Sequence, residues 1–203
     1  GSETMTEPLP LTSTIDSTDV LCFGDTTGSA TVTPAGGTTP YNYLWSNGDT
    51  MQTATGLSVG NYSVVITDAN GCLDNANITV NEPPELVVDA LSYDSVYCYG
   101  IVYGSATVIA SGGTPVFTYQ WSDINGPISG ATGSIASNLD TGWHSVSITD
   151  ANGCTLDADT IVPGKAPIFI TDTIVEHLDC WGANNGSIVV IASGGTPGPG
   201  PDY

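Results

Sequence analysis

The chain has 203 residues, of which 40% are hydrophobic and only 11% are charged, and its formal net charge at pH 7 is -20. A single Lys or Arg residue cannot neutralise phosphates, so the composition excludes a nucleic-acid partner and disfavours an anionic membrane face. The apolar stretches are far shorter than the roughly 18 residues of a membrane-spanning helix, so membrane insertion is not expected, while the apolar content predicts a soluble chain with a packed core.

Residues 1–7 are interpreted as a tag remnant and leader, because Gly1-Ser2 is typical of a cleaved purification tag. Over the whole chain, 25 glycines and frequent Thr, Ser and Val favour turns and strands over helices. We therefore expect an all-β protein.

A repeat organises the rest of the chain. Cys-aromatic-Gly triplets begin at Cys22, Cys98 and Cys180, 76 and then 82 residues apart, and Gly-Ser and Gly-Gly-Thr follow each triplet at constant offsets. The turn sequence Asp-Ala-Asn-Gly-Cys occurs at 68–72 and again at 150–154. Six residues are therefore inserted in the second repeat, and the Gly/Ser-rich segment 122–134 is where a loop lengthens at low cost.

Alternating apolar residues within each repeat predict strands with one buried face. Together with the Pro-rich joints, they predict tandem immunoglobulin-like antiparallel β-sandwich repeats at 8–82 and 83–164. The segment 165–203 carries only the first two strands of a third, truncated repeat. A two-stranded piece is marginal in water, so we expect it to be ordered only by pairing with a partner.

The segment Leu57 to Tyr62 has the form L-x-x-G-x-Y, in which a sandwich tyrosine can hydrogen-bond back to the backbone. The second repeat has His144 at the tyrosine position. No nucleophile or second base accompanies this histidine, so we interpret it as a packed residue that replaces the tyrosine. The chain is not expected to be an enzyme.

Two cysteines in each complete repeat predict one disulfide per repeat, Cys22 with Cys72 and Cys98 with Cys154, and leave Cys180 as a free thiol. In a simple immunoglobulin layout, however, the turns that hold Cys22 and Cys72 lie at opposite poles. A bond between Cys72 and Cys98 is less favourable still, because the 26 residues between them would span up to about 85 Å. A zinc site is a weak rival, since no C-x-x-C or nearby histidine completes it.

Together these motifs resemble the SprB-type repeat of gliding and cell-surface adhesins from Bacteroidetes. The resemblance rests on Cys22 to Ala30, Gly36 to Trp45, Leu57 to Tyr62 and Asp68 to Cys72, and on most of their counterparts in the second repeat. It implies a segment of a very long extracellular protein, exported by the type IX pathway and attached to the outer-membrane surface, with the secretion or motility machinery as a partner. It implies no catalytic residue.

No cofactor is expected, although two turns carry oxygen ligands of the kind that calcium prefers. Asp68 with Asn70, and Asp150 with Asn152, resemble the opening of a calcium loop. The other ligand positions of such a loop are missing, and turn formation explains the same residues. These four residues are therefore weak calcium candidates.

The leading functional hypothesis is a stalk that acts in surface attachment or gliding motility, with neighbouring repeats of the same polypeptide as its main partners. The alternative is a carbohydrate-binding accessory module of a secreted protein, which would contact surface glycans or polysaccharides. The aromatic residues of the strands match the buried face and are predicted to be core. Trp143 and Trp181 are the better candidates for ligand contact.

Overall fold

In a computed structural model that describes residues 7–95, 104–177, 179–182 and 184–195, the chain is all-β, and these residues include no helix. Most of the predicted tag remnant and leader, and also Cys98, lie outside the described residues. By packing, the chain divides into two compact units. The first contains the described residues up to Val87 together with Ala110–Phe117 and Thr149–Leu156, and the second contains the others.

The first repeat contains six strands in two antiparallel three-stranded sheets, β1-β2-β4 and β3-β5-β6. This is the strand order of an immunoglobulin-like sandwich with Greek-key connections. The strands are β1 Thr12–Thr18, β2 Gly28–Ala35, β3 Asn42–Trp45, β4 Thr53–Leu57, β5 Gly60–Thr67 and β6 Leu73–Val80.

The second repeat has the same layout, with sheets β11-β8-β7 and β10-β9-β12-β13. The extra strand β10 lies in the six-residue insertion and pairs with β9, so the lengthened loop folds back on its own sheet. The strands are β7 Val87–Asp94, β8 Gly104–Ser111, β9 Thr118–Asp123, β10 Gly126–Pro127, β11 Ile135–Leu139, β12 Gly142–Thr149 and β13 Thr155–Val162.

The core of the first repeat lies between its two sheets, because the buried side chains alternate along the strands and come from both sheets. Trp45 is 2% exposed, and its indole Nε1 donates to the Met51 carbonyl at 2.8 Å. In the second repeat Trp121 is fully buried and donates to the Gly133 carbonyl at 2.9 Å. The prediction that these tryptophans are core residues is confirmed, as is the tandem antiparallel sandwich.

The Gly-Gly-Thr motif holds the start of each repeat against its own second strand. Gly36 and Gly112 have φ values of +70° and +74°, in the left-handed region that glycine enters without strain. A Cβ atom on either residue would overlap a backbone carbonyl, that of Pro10 or Glu85 respectively. The motif therefore recurs because the leading segment of the repeat crosses the turn at backbone distance.

The third segment forms two antiparallel strands, β14 Ile168–Glu176 and β15 Ser187–Gly194. The residues of both strands are exposed. Ile188 and Val190, which the alternation assigns to a core, are 70% and 53% exposed. We call this pair the β14–β15 ribbon. Its predicted dependence on a partner stays a prediction.

Candidate functional site

The turn between β5 and β6 is held by the buried carboxylate of Asp68, which is 3% exposed. Oδ2 accepts the backbone N–H of Thr38 at 2.9 Å, and Oδ1 accepts those of Asn70 at 2.9 Å and Cys72 at 2.8 Å. Burial by itself raises the pKa of Asp68, but the hydrogen bonds from the amides of Cys72, Thr38 and Asn70 outweigh it and hold that pKa below its ordinary value. The carboxylate therefore fixes the Asp68–Cys72 turn as an anion.

The equivalent turn of the second repeat has the same geometry. Asp150 accepts backbone N–H groups from Thr114 at 2.8 Å and from Asn152 and Cys154 at 2.9 Å each. Burial raises the pKa of Asp150, and the hydrogen bonds, led by that from Thr114, lower it further than burial raises it.

Both aspartates therefore act as turn anchors, and both oxygens of each are engaged by amides. The asparagines direct their side-chain nitrogen, not their oxygen, to a neighbouring threonine: Asn70 Nδ2 donates to Thr38 Oγ1 at 2.9 Å. Within the described ranges, no group of three His, Cys, Asp or Glu residues is placed to hold a metal ion. The four residues Asp68, Asn70, Asp150 and Asn152 stay weak calcium candidates.

The second turn contacts residues that follow β1 of the first repeat, and all of these residues belong to the first compact unit. Cys154 forms a disulfide with Cys22, with their Cα atoms 5.7 Å apart. Next to the disulfide, Asn152 Nδ2 donates to the Leu21 carbonyl at 2.9 Å and to Thr114 Oγ1 at 3.0 Å. A cavity of about 420 Å³ borders this contact. We call this contact the Cys22–Cys154 junction.

The predicted disulfide pairing is therefore wrong: Cys22 does not bond Cys72, and Cys154 does not bond Cys98. Cys72 and Cys180 are both free and exposed. The predicted free thiol at Cys180 agrees with the structure, whereas Cys98 lies outside the described residues.

The reason is the length of β6. This strand begins directly after Cys72 and ends at Val80. The next residue, Asn81, donates its backbone N–H to Oδ1 of Asp19 at 2.8 Å, and Asp19 precedes Cys22 by three residues. A strand of eight residues spans about 23 Å. Cys22 and Cys72 thus lie at opposite ends of one repeat. The length of β6 is the signal that could have indicated a partner for Cys22 in another repeat. A bond between Cys22 and Cys154 was not among the pairings expected from the sequence.

His144 occupies the tyrosine position, as predicted. In the first repeat Tyr62 Oη donates to the Ser58 carbonyl at 3.1 Å. In the second, His144 is 2% exposed, and its Nε2 lies 3.2 Å from the Asp140 carbonyl oxygen. Nδ1 is buried and has no hydrogen-bond partner among the described residues. The packed interpretation is confirmed.

Trp143 borders a shallow groove on the outer face of β12 and β13. Its side chain is 63% exposed, and the groove has a volume of about 220 Å³. Besides Trp143 the lining residues are Ser122, Asp123, Ile124, His144, Ser145 and Asp159. An exposed indole beside two carboxylates combines a stacking surface with acceptors for hydroxyl groups. We call this the Trp143 groove.

The first repeat has a groove at the equivalent position, with a volume of about 580 Å³. There Asn61 and Asn77 stand where the second repeat has Trp143 and Asp159. The position is thus common to both repeats, but the exposed indole is specific to the second, since the aromatic residue that lines the first groove is the half-buried Tyr62. Trp181, the other candidate for ligand contact, is fully exposed in a turn beside Cys180 and lines neither groove.

Comparison with protein families identifies the repeats. The family model described as the SprB repeat matches residues 14–50, 92–126 and 173–199, so three segments of the chain are similar to that repeat and the resemblance seen in the sequence is confirmed. The matches indicate a repeat segment of a cell-surface, adhesin-type protein. No curated protein matches the chain significantly.

Similar solved structures contain immunoglobulin domains. Immunoglobulin domains 1–5 of Sidekick-1 are 13% identical with a TM-score of 0.39, over 94% of this chain and 46% of that one. An amphioxus IgVJ-C2 molecule is 13% identical with a TM-score of 0.32, over 74% and 95%. This chain therefore spans about half the length of the Sidekick-1 structure. The described residues contain no helix that is long and apolar enough to cross a membrane.

Proposed function

We propose that this chain of SprB-type repeats is a non-enzymatic stalk segment of a large extracellular adhesin, attached to the outer-membrane surface and acting in surface attachment or gliding motility. Its structural repeats are taken as 8–82, 83–164 and the partial repeat 165–203. Export by the type IX pathway and contact with the secretion or motility machinery belong to the same proposal.

The observation that carries the proposal is the Cys22–Cys154 junction. A flexible tether would need only the peptide linker between the repeats, whereas here residues 132 positions apart in the sequence are also joined covalently. The anchored Asp150 turn presents Cys154 and the Asn152 amide to the Leu21 carbonyl. A stalk benefits from such a joint, because each junction limits the freedom of successive repeats and reach then grows with repeat number.

The test replaces residues 8–164 in the native full-length protein with two unrelated immunoglobulin-like domains of similar length. A stalk predicts that cell attachment is retained after replacement and falls after deletion of the same residues. Loss of attachment in both cases would overturn the proposal, because the repeats would then carry specific contacts themselves.

A second candidate function is carbohydrate binding at the Trp143 groove, favoured by an exposed indole in a groove that Asp123 and Asp159 also line. Stacking of a sugar ring on the indole would supply the contact area, and the carboxylates would accept hydrogen bonds from its hydroxyls. On a glycan array, the unmodified chain and the control variant Ile135→Ala should give the same binding signal, and Trp143→Ala should abolish it. Ile135 is a suitable control because it is similarly exposed, at 57%, and lies on the other sheet. An array without any signal for the unmodified chain would eliminate this function.

A further inference from the structure

The two Asp-Ala-Asn-Gly-Cys turns have the same sequence and are held by equivalent hydrogen bonds to their aspartates. In the part of the chain that the structure describes, only the second turn has a partner. In the second repeat the turn receives Cys22 and the Leu21 carbonyl. In the first repeat Cys72 is free and exposed. The second turn thus shows what the first can bind.

The contact made by the second turn needs three things from it: a thiol, a fixed backbone and a free amide hydrogen. The thiol and backbone of the Asp68–Cys72 turn match, since Asp68 holds the Cys72 amide at 2.8 Å as Asp150 holds that of Cys154 at 2.9 Å. The amide matches as well. Asn152 divides its two Nδ2 hydrogens between Thr114 Oγ1 and the Leu21 carbonyl.

Asn70 uses one Nδ2 hydrogen for Thr38 Oγ1 at 2.9 Å. The other has no acceptor among the residues that the structure describes. It is available for the carbonyl that precedes an incoming cysteine, as Leu21 precedes Cys22.

The incoming element recurs at Cys98, outside the described residues, and at Cys180, which the structure describes. Cys180, Trp181 and Gly182 repeat the Cys-aromatic-Gly triplet of Cys22, Phe23 and Gly24. Cys180 is free and exposed, and Trp181 is fully exposed.

We propose that the Asp68–Cys72 turn is a docking site for the Cys180–Gly182 turn of a second copy of this chain, closed by a disulfide between Cys72 and Cys180. This inference rests on the proposed function, because it applies the geometry of the Cys22–Cys154 junction to an intermolecular contact. The contact is head-to-tail, so successive copies form either a linear series or a closed ring, depending on the rotation between them.

Disulfide formation requires an oxidant, and oxidised glutathione serves. The Cys72 thiolate attacks one glutathione sulfur and displaces glutathione thiolate. The Cys180 thiolate then attacks Cys72 Sγ in the mixed disulfide and displaces the second glutathione. Two protein thiols are oxidised, and one glutathione disulfide is reduced to two glutathione molecules, which carry away the two protons.

The test mixes two full-chain variants, Cys72→Ser and Cys180→Ser, each also carrying Cys98→Ser, in a glutathione redox buffer. Neither variant alone can form the proposed bond, but the mixture can form it once per pair. We expect a heterodimer in the mixture, monomers in each separate sample, and a Cys72–Cys180 peptide in the non-reducing digest. Adding Asn70→Ala to the Cys180→Ser partner should slow dimer formation about threefold to tenfold, the effect of one hydrogen bond.

The inference is overturned if the mixture stays monomeric, if each variant dimerises alone as fast as the mixture, or if Asn70→Ala has no effect on the rate. The same digest reports the Cys22–Cys154 peptide. If that peptide is present and Cys72–Cys180 is absent, only the docking inference fails. If Cys22–Cys154 is itself absent, the junction that supports the stalk proposal fails.

Discussion

The first two strands of the first repeat and the β14–β15 ribbon are the same element in different surroundings. Each is an antiparallel pair that follows a Pro-containing leading segment and ends at a Gly-Gly turn. Val32 in β2 is fully buried, whereas its counterpart in the ribbon, Val190, is 53% exposed. The difference is the opposite sheet, which covers β2 and is not found over β15 in the described residues. The alternation of apolar and polar residues in a strand therefore determines which face can be buried. That face becomes buried only where a second sheet packs against it.

The largest expected contrast is in hydrogen exchange. In dilute solution without a partner, amides of Ala30 to Thr33 should exchange at least about a thousandfold more slowly than those of Ser187 to Ala192, because a complete core opens only by global unfolding. Exchange measured by mass spectrometry on peptides from each strand checks this. Equal protection would show that the ribbon folds independently and would remove the basis of the comparison.

Removing the largest core side chain of the facing sheet should make the first repeat behave more like the ribbon. Trp45→Ala deletes a side chain that is 2% exposed, and we expect it to lower the free energy of unfolding of the first repeat by about 3 to 5 kcal/mol. Denaturant titration with exchange readout on β2 measures the effect. Its matched control is Leu44→Ala, one residue earlier and 56% exposed, which should change little. Similar losses for both variants would contradict the assigned core.

Loss of the Asp68 carboxylate from the Asp68–Cys72 turn should have a smaller effect on stability, and that effect should depend on pH. The pKa of Asp68 is lowered in the folded chain, so the contribution of the carboxylate to stability is complete above its unfolded pKa of about 3.9 and is lost as the pH falls through the lower folded value. Asp68→Asn should lower the Tm at pH 7 by about 5 °C.

Below the folded pKa of Asp68, the difference in Tm between Asp68→Asn and the unmodified chain should shrink. The protonated aspartic acid and the asparagine are then both neutral. Asp16→Asn, at an exposed position of β1, serves as the control for the change of charge. Thermal melts between pH 2 and 7 provide the measurement. A difference in Tm that stayed constant over this range would argue against stabilisation of the turn by an ionised Asp68.

The smallest expected effect is a substitution in the ribbon. Val190→Ser should change stability by less than about 0.5 kcal/mol, as is usual at exposed positions, whereas Val32→Ser at the equivalent buried position should cost several times more. Paired denaturation curves of the two variants provide the measurement. A large cost for Val190→Ser would reveal a core around the ribbon in solution.

Local and periodic features were predictable from the sequence because they depend on neighbours within one repeat. Trp45 and Trp121 as core residues, the Tyr62 hydrogen bond and its replacement by His144 all follow from spacing and strand alternation. The disulfide did not, because cysteine count fixes the number of bonds and leaves the partners open. The partner of Cys22 depends on which end of β6 lies near it, and that is a property of the assembled sandwich.

The Cys22–Cys154 junction also determines how the chain responds to tension. When the polypeptide is pulled from its two ends, the load reaches Cys22 and passes through the sulfur bridge directly to Cys154. The 131 residues between them, a number that follows from the sequence separation of 132, then lie outside the load path. If these residues were released instead, they would add up to about 450 Å of extended chain. An oxidised segment should therefore resist lengthening under shear, and a reducing medium should convert it into an extensible one.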